Sequence, residues 1–198
     1  MNNDQSTSRW ERRKERTRRA LLQAADRLFC EKGFDATTVE EIAHAADVAK
    51  GTFFNYFETK ETLLIHLLAL QIEDALAEVP GAGQPAPERL RLTLKAAWDA
   101  LAPYRHLTRH AVLHNVRPPR PPRERPQKMP RALITLIQQG QEEGTIRAEI
   151  DAETVAFFLN VYFLRLCFLK PPDEDQATSW ETRLERGLDI LYHGVLVS

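Results

Sequence analysis

An all-α fold is expected for this chain, and three observations point to it. Its 198 residues include only 8 glycines. The long stretches between breaks are rich in Ala, Leu, Glu and Arg, which cost least in a helix. Apolar residues recur three and four positions apart in one segment after another, and nowhere alternate with polar ones as a half-buried strand requires. The pattern divides into a three-helix N-terminal domain over residues 1–60 and a helical C-terminal domain over 61–198, about nine helices in total.

The chain is long enough for one or two domains with a real core. Hydrophobic residues at 43% and charged residues at 28% exclude a disordered chain. The longest apolar run, Val155 to Leu169, is broken by Asn160 and Arg165 and is too short to span a bilayer. The N-terminus is polar and then arginine-rich, without the apolar core of a signal peptide, so a cytoplasmic protein without a membrane partner is expected. A net charge of −1 does not by itself favour a polyanion. Its distribution says slightly more, since residues 1–60 hold 11 Lys/Arg against 10 Asp/Glu, and residues 61–198 hold 16 against 18. Cys30 and Cys167 sit among apolar neighbours on predicted helices and are expected as buried thiols; two cysteines make neither a disulfide framework nor a zinc cluster.

Residues 1–8 are polar and expected to be loose. Trp10 to Lys32 reads as a helix with Leu21, Ala25, Leu28 and Phe29 in one stripe, closed by Gly33 at the left-handed C-cap, with Phe34 folding back over the last turn. Thr37-x-x-Glu40 and Thr38-x-x-Glu41 both fit a capping box, so a second helix starts next to Val39. Its inward residues are Val39, Ile42, Ala43 and Ala46. Asp47-Val48-Ala49 makes a turn into a short third helix, Lys50 to Phe57. Thr59 caps a fourth, Lys60 to Glu78, with a Leu63, Leu64, Leu67, Leu68 and Ile72 stripe. After a Pro/Gly-rich break come helices over 88–102, 104–116, 131–143, 152–170 and 178–194. Arg117 to Pro130, with six prolines, is expected as a non-helical loop.

Two short helices joined by a tight turn, at Thr37 to Phe57, form a helix-turn-helix, whose second helix enters the major groove of DNA. Lys50 can donate to guanine, Asn55 can pair with adenine, and Thr52 or Phe53 can touch a thymine methyl. Gly51 permits close backbone approach. Thr38 and the exposed amides of the second helix suit one phosphate, Tyr56 a second, and Lys60 adds charge. Thr38 can equally serve only as a cap, and Phe53 can simply lie on the surface. Phe54 and Phe57 are expected in the core. Arg12, Arg16 and Arg19 share a helix face that either contacts phosphates or is merely solvated.

The segment Gly33-Phe34, Thr37-Thr38-Val39, Ile42-Ala43, Ala46, Val48, Lys50-Gly51-Thr52, Phe54, Tyr56-Phe57, Lys60 and Leu63 resembles the DNA-binding signature of the TetR (tetracycline repressor) family over about residues 14–66. More weakly, Gly140 to Arg147 with Asp151-Ala152-Glu153 resembles the family's entry into its penultimate helix. The resemblance implies a homodimeric repressor, released from a palindromic operator when an unknown small molecule enters a variable C-terminal domain. Its last two long helices would form a four-helix dimer bundle. Two positions depart from the pattern: Ala49 stands where a capping Ser is usual, and Phe54 where Tyr is frequent.

In the second half, the helix from Ala152 is apolar nearly all round and must be covered on every side, which calls for a second subunit. Phe158, Tyr162, Leu166, Leu184 and Leu188 are the expected dimer interface. Trp98, His110, Asn160 and Arg165 are candidates for the effector pocket. Asn160 and Arg165 can instead bond across the dimer, and Trp98 can be core. His106, His110 and His114 lie along one face at i, i+4 spacing, but no acidic or thiolate ligand accompanies them. No metal or cofactor is therefore expected, and no nucleophile motif or phosphate loop suggests an enzyme. The remaining alternative is a DNA-binding regulator independent of ligand, or controlled by a partner protein.

Overall fold

The computed structural model describes residues 3–79, 83–107, 110–111, 128–168 and 179–195, and among them eight α-helices and one short 3-10 turn have both ends defined. The helices are α1 (Asn3–Lys32), α2 (Val39–Ala45), α3 (Lys50–Tyr56), α4 (Lys60–Ala77), α5 (Ala86–Ala100), α6 (Lys128–Glu142), α7 (Ala152–Phe168) and α8 (Trp180–Val195). The 3-10 turn, Ala102–Tyr104, follows α5. No β-strand occurs among the described residues.

The helix boundaries follow local chemistry. α1 starts at Asn3, so the stretch expected to be loose is helical from there; no Gly or Pro interrupts residues 3–32 to stop it. Gly33 closes it with φ +83, as its position after Lys32 demands. α5 opens with Pro87 in its first turn, and α6 starts three residues ahead of Arg131 with Pro130 inside it. Both prolines sit where a helix has no use for the missing N–H. Asp151 caps α7, its Oδ2 accepting from the Thr154 amide at 2.7 Å. Most of the helix expected over 104–116 lies outside the described residues, as does the loop 117–127; of that stretch, His110 and Ala111 are helical.

The chain forms two compact units. One holds the residues up to Leu67 together with His110 and Ala111; the other holds the remainder. The first unit takes in the first two turns of α4. Leu63, Leu64 and Leu67 are buried there with Leu21, Phe29, Ile42, Phe53 and Phe57. His66 joins them, its Nδ1 accepting from the Arg18 guanidinium at 3.0 Å and its ring meeting Phe57 edge-on at 5.5 Å.

In the second unit, α5 packs on α6, α6 on α7 and α7 on α8. Leu90, Leu94, Leu133, Ile137, Leu159, Phe163, Leu184 and Leu188 fill its core. Buried Arg89 crosses from α5 to α6, donating to Gln139 at 2.7 Å and pairing with Glu143. Two close approaches fix the packing. A Cβ on Gly140 would lie 2.7 Å from that of Ala86, and one on Gly187 would lie 2.3 Å from the Tyr162 ring. No described helix is long and apolar enough to cross a membrane.

Candidate nucleic-acid interface

Thr38 sets the geometry of the helix-turn-helix. Its hydroxyl accepts from the Glu41 amide at 3.2 Å, while Glu41 Oε2 accepts from the Thr38 amide at 2.8 Å and from the Thr38 hydroxyl at 2.9 Å. This is the complete capping box, and Lys32 pairs with the same carboxylate. Together these donors hold the Glu41 carboxyl well down, at about 2. The turn after α2 passes through Asp47 at φ 55, a left-handed position that Asp tolerates better than most residues. α3 then starts at Ala49 without a side-chain cap.

The register of α3 decides which side chains face outward. Phe53 is fully buried and Phe57 is 1% exposed, whereas Phe54 is 46% exposed. The expectation that Phe53 could touch a thymine methyl and that Phe54 is core is therefore corrected. Phe53 and Phe57 are one helical turn apart, with ring centroids at 5.8 Å, and together they seat α3 on the unit's core. Phe54, one residue on, turns out. The outward face carries Lys50, Gly51, Phe54 and Asn55, flanked by half-exposed Thr52 and Tyr56. A Cβ on Gly51 would meet nothing within 4 Å, so the helix backbone is open to a groove wall at that point.

Lys60 has a different task from the phosphate contact expected of it. Its ammonium donates to the Phe34 carbonyl at 2.6 Å and the Thr37 carbonyl at 2.7 Å, and sits 4.2 Å from the centre of the Phe34 ring. It ties the start of α4 to the loop between α1 and α2. The Phe34 carbonyl also accepts from the Thr37 amide at 3.2 Å, so the ammonium reinforces a turn that the backbone already closes.

His110 also lies with this unit. Its ring stacks on Phe34 at 4.4 Å, and its Nε2 lies 3.9 Å from Asp35 Oδ1. His106 is exposed, and His114 lies outside the described residues. On α1, Arg9, Arg12, Arg13, Lys14 and Arg16 are all exposed, while Arg19 pairs with Glu15 at 2.9 Å. Cys30 is exposed, contrary to expectation, because it faces away from the α1 stripe; Cys167 is half-buried, its thiol pushed up to about 12 by burial.

In the second unit, Trp98 is 7% exposed and stacks on Trp180 at 4.5 Å, with the Arg105 guanidinium 4.3 Å over its ring. Its indole Nε1 is buried without a hydrogen-bond partner among the described residues. Asn160 and Arg165 are half-buried on α7. Of the expected interface residues, Phe158 is 61% exposed, but Leu184 and Leu188 are buried in their own subunit and are corrected to core. Ile190, by contrast, turns outward and is 77% exposed. Tyr162 and Leu166 are half-buried; the Tyr162 hydroxyl donates to the Arg183 carbonyl and so joins α7 to α8. Phe157, Phe158 and Val161 make an uncovered apolar patch on α7.

Residues 21–67 match the family model for bacterial regulatory proteins of the tetR family. The transcriptional repressor KstR2 of Rhodococcus jostii is 26% identical over 157 residues, which is 72% of this chain and 74% of that protein. The structure of Thermus thermophilus FadR, a TetR-family transcriptional repressor in complex with lauroyl-CoA, superposes with a TM-score of 0.74. It is 27% identical, with 91% of this chain and 96% of that chain covered. FadR of Bacillus subtilis, in complex with stearoyl-CoA, has the same fold at 21% identity and a TM-score of 0.59, covering 88% of this chain and 97% of its own.

Proposed function

The chain belongs to the TetR family of transcription regulators, and from that premise we propose a homodimeric cytoplasmic repressor that a fatty acyl-CoA releases from a palindromic operator. The observation that carries the DNA reading is the two-sided α3. Phe53 and Phe57 anchor one side, and the other presents Lys50, Gly51 and Asn55 over open space. Lys50 reads guanine and Asn55 reads adenine, with Thr52 and Phe54 against thymine methyls. Tyr56 and the Thr38 end of α2 take phosphates, and the exposed α1 arginines add sequence-blind charge.

One such unit covers little DNA, so two are needed. A two-fold pair places its recognition helices about 34–36 Å apart, in successive major grooves. Phe157, Phe158, Val161 and Ile190 supply the apolar surface for pairing, since side chains of this size rarely stand uncovered in a patch.

The acyl-CoA comes from the likeness to the lauroyl-CoA complex. Support within this chain comes from Trp98, whose buried indole N–H has no partner among the described residues; such a donor costs about 1–3 kcal/mol until an acceptor such as a thioester carbonyl reaches it. Asn160 and Arg165 are the further pocket candidates. Effector and operator then bias one equilibrium, so each weakens the other's binding by the same factor.

The test is a footprint on the upstream region of the protein's own gene, titrated with lauroyl-CoA, free CoA and laurate. Lauroyl-CoA alone should erase the footprint. A footprint that survives saturating lauroyl-CoA rejects the effector, and the absence of any footprint rejects the regulator.

A further inference from the structure

We propose that Glu40 is a specificity-determining residue, acting through its ion pair with Lys50 to keep that lysine off phosphates and available only to base edges. The inference rests on the reading of Lys50 as a groove contact. Glu40 stands in the first turn of α2 and Lys50 at the first position of α3, and their side chains pair directly across the helix-turn-helix. Both are more than half exposed, at 57% and 54%. The pair therefore lies on the open surface of the reading head and not in the core. The hydrogen bond from Lys50 holds the Glu40 carboxyl below its usual range, so it stays ionised at neutral pH. The neighbouring Glu41 is engaged separately by Lys32 and Thr38, which leaves Glu40 to Lys50.

The consequence for recognition is a matter of charge. An unpaired lysine on a DNA-facing helix is attracted most strongly to the nearest phosphate, which every sequence provides. Paired with Glu40, the same ammonium is locally neutral, and a phosphate brought to it also meets the carboxylate. A guanine edge is uncharged and meets no such repulsion. An ammonium has three donors, so it can give two protons to guanine O6 and N7 and keep the third on Glu40. The carboxylate also aims the flexible four-carbon stem and reduces the freedom lost when the base contact forms. Random DNA is thus penalised and the correct base is not.

The experiment is a two-by-two set, wild type, E40Q, K50A and the double variant, each measured for affinity to the footprinted operator and to random duplex across a salt series. Because both side chains are exposed, thermal melts should coincide for all four proteins. E40Q should bind random duplex roughly threefold to tenfold more tightly and steepen its salt dependence by about one per subunit. Its operator affinity should rise less, so the preference for operator shrinks. In the K50A background, E40Q should leave that preference unchanged. An E40Q protein with full preference, or one that loses preference equally with and without Lys50, overturns the proposal. If K50A itself leaves preference intact, the role of Lys50 in the groove fails first, which separates the two claims.

Discussion

Two helices carry adjacent phenylalanines, and the molecule uses them in opposite ways. In α3, seven residues long, Phe53 is wholly inside while Phe54 stands out among Lys50, Gly51 and Asn55. In α7, seventeen residues long, Phe157 and Phe158 both stand out, 63% and 61% exposed, beside Val161. The polar and glycine neighbours of Phe54 make a face that a hydrated, charged groove can accept. The apolar neighbours of Phe158 make a face that only another apolar surface can cover. On the proposed reading, composition around an exposed ring selects its partner, nucleic acid in one case and protein in the other.

The buried ring of α3 should matter most for stability. Phe53→Ala should destabilise the N-terminal unit by about 3–5 kcal/mol in urea unfolding. Phe54→Ala should shift stability by no more than about 0.5 kcal/mol while weakening operator binding. Equal losses of stability would show that α3 sits in a different register.

Next in size is the apolar patch of α7. Phe158→Glu should raise the dimer dissociation constant by roughly 30-fold or more, read by sedimentation velocity, since central aromatic anchors contribute about 2 kcal/mol or more each. Leu188→Ala should instead lower the unfolding midpoint without a selective effect on dimerisation. An unaltered dimer in the Phe158 variant would move the interface elsewhere.

Lys60→Met tests the inward use of that charge. Removing the ammonium from the Thr37 carbonyl, and leaving the Phe34 carbonyl with the Thr37 amide alone, should cost about 1–3 kcal/mol of stability. The salt dependence of DNA binding, corrected for folded protein, should stay as in the wild type. A shallower salt dependence with unchanged stability would return Lys60 to the phosphates.

The smallest effect concerns the capping box. Glu41 titrates at about 2 in the folded chain against its usual 4.5. A depressed carboxyl contributes stability above the unfolded value and loses it as pH falls through the folded one. The stability difference between wild type and Glu41→Gln should therefore be full near neutrality, shrink below about pH 4.5 and vanish near pH 2. A difference that persists at pH 2 would mean that the ionised carboxylate is not what holds the cap.

Much of the N-terminal architecture is legible in the residues themselves. The left-handed Gly33, the Thr38-x-x-Glu41 box and the α3 start at Lys50 all rest on local backbone chemistry, which the sequence spells out. Two helical turns give too little periodicity to tell Phe53 from Phe54 as the inward residue. The signal lies in Phe57, four residues beyond Phe53 and therefore on its side. Leu184 and Leu188 read as outward in the sequence because an apolar stripe looks the same whether its own subunit or a second one covers it. The tasks of Lys60, His110 and Glu40 depend on partners 10 to 76 positions away, at Thr37, Phe34 and Lys50. No local pattern announces them.

Whether the outward face of α3 reads DNA is decided by selecting bound duplexes from a random pool and measuring their affinity at fixed moderate salt. The wild type should recover a palindrome and prefer it to random competitor by roughly 10³-fold or more. Asn55→Ala should lose discrimination at one position of each half-site, worth about 1–3 kcal/mol, while keeping its affinity for random DNA. A pool that yields no shared sequence, or an Asn55→Ala protein that selects the same palindrome with undiminished preference, would contradict it.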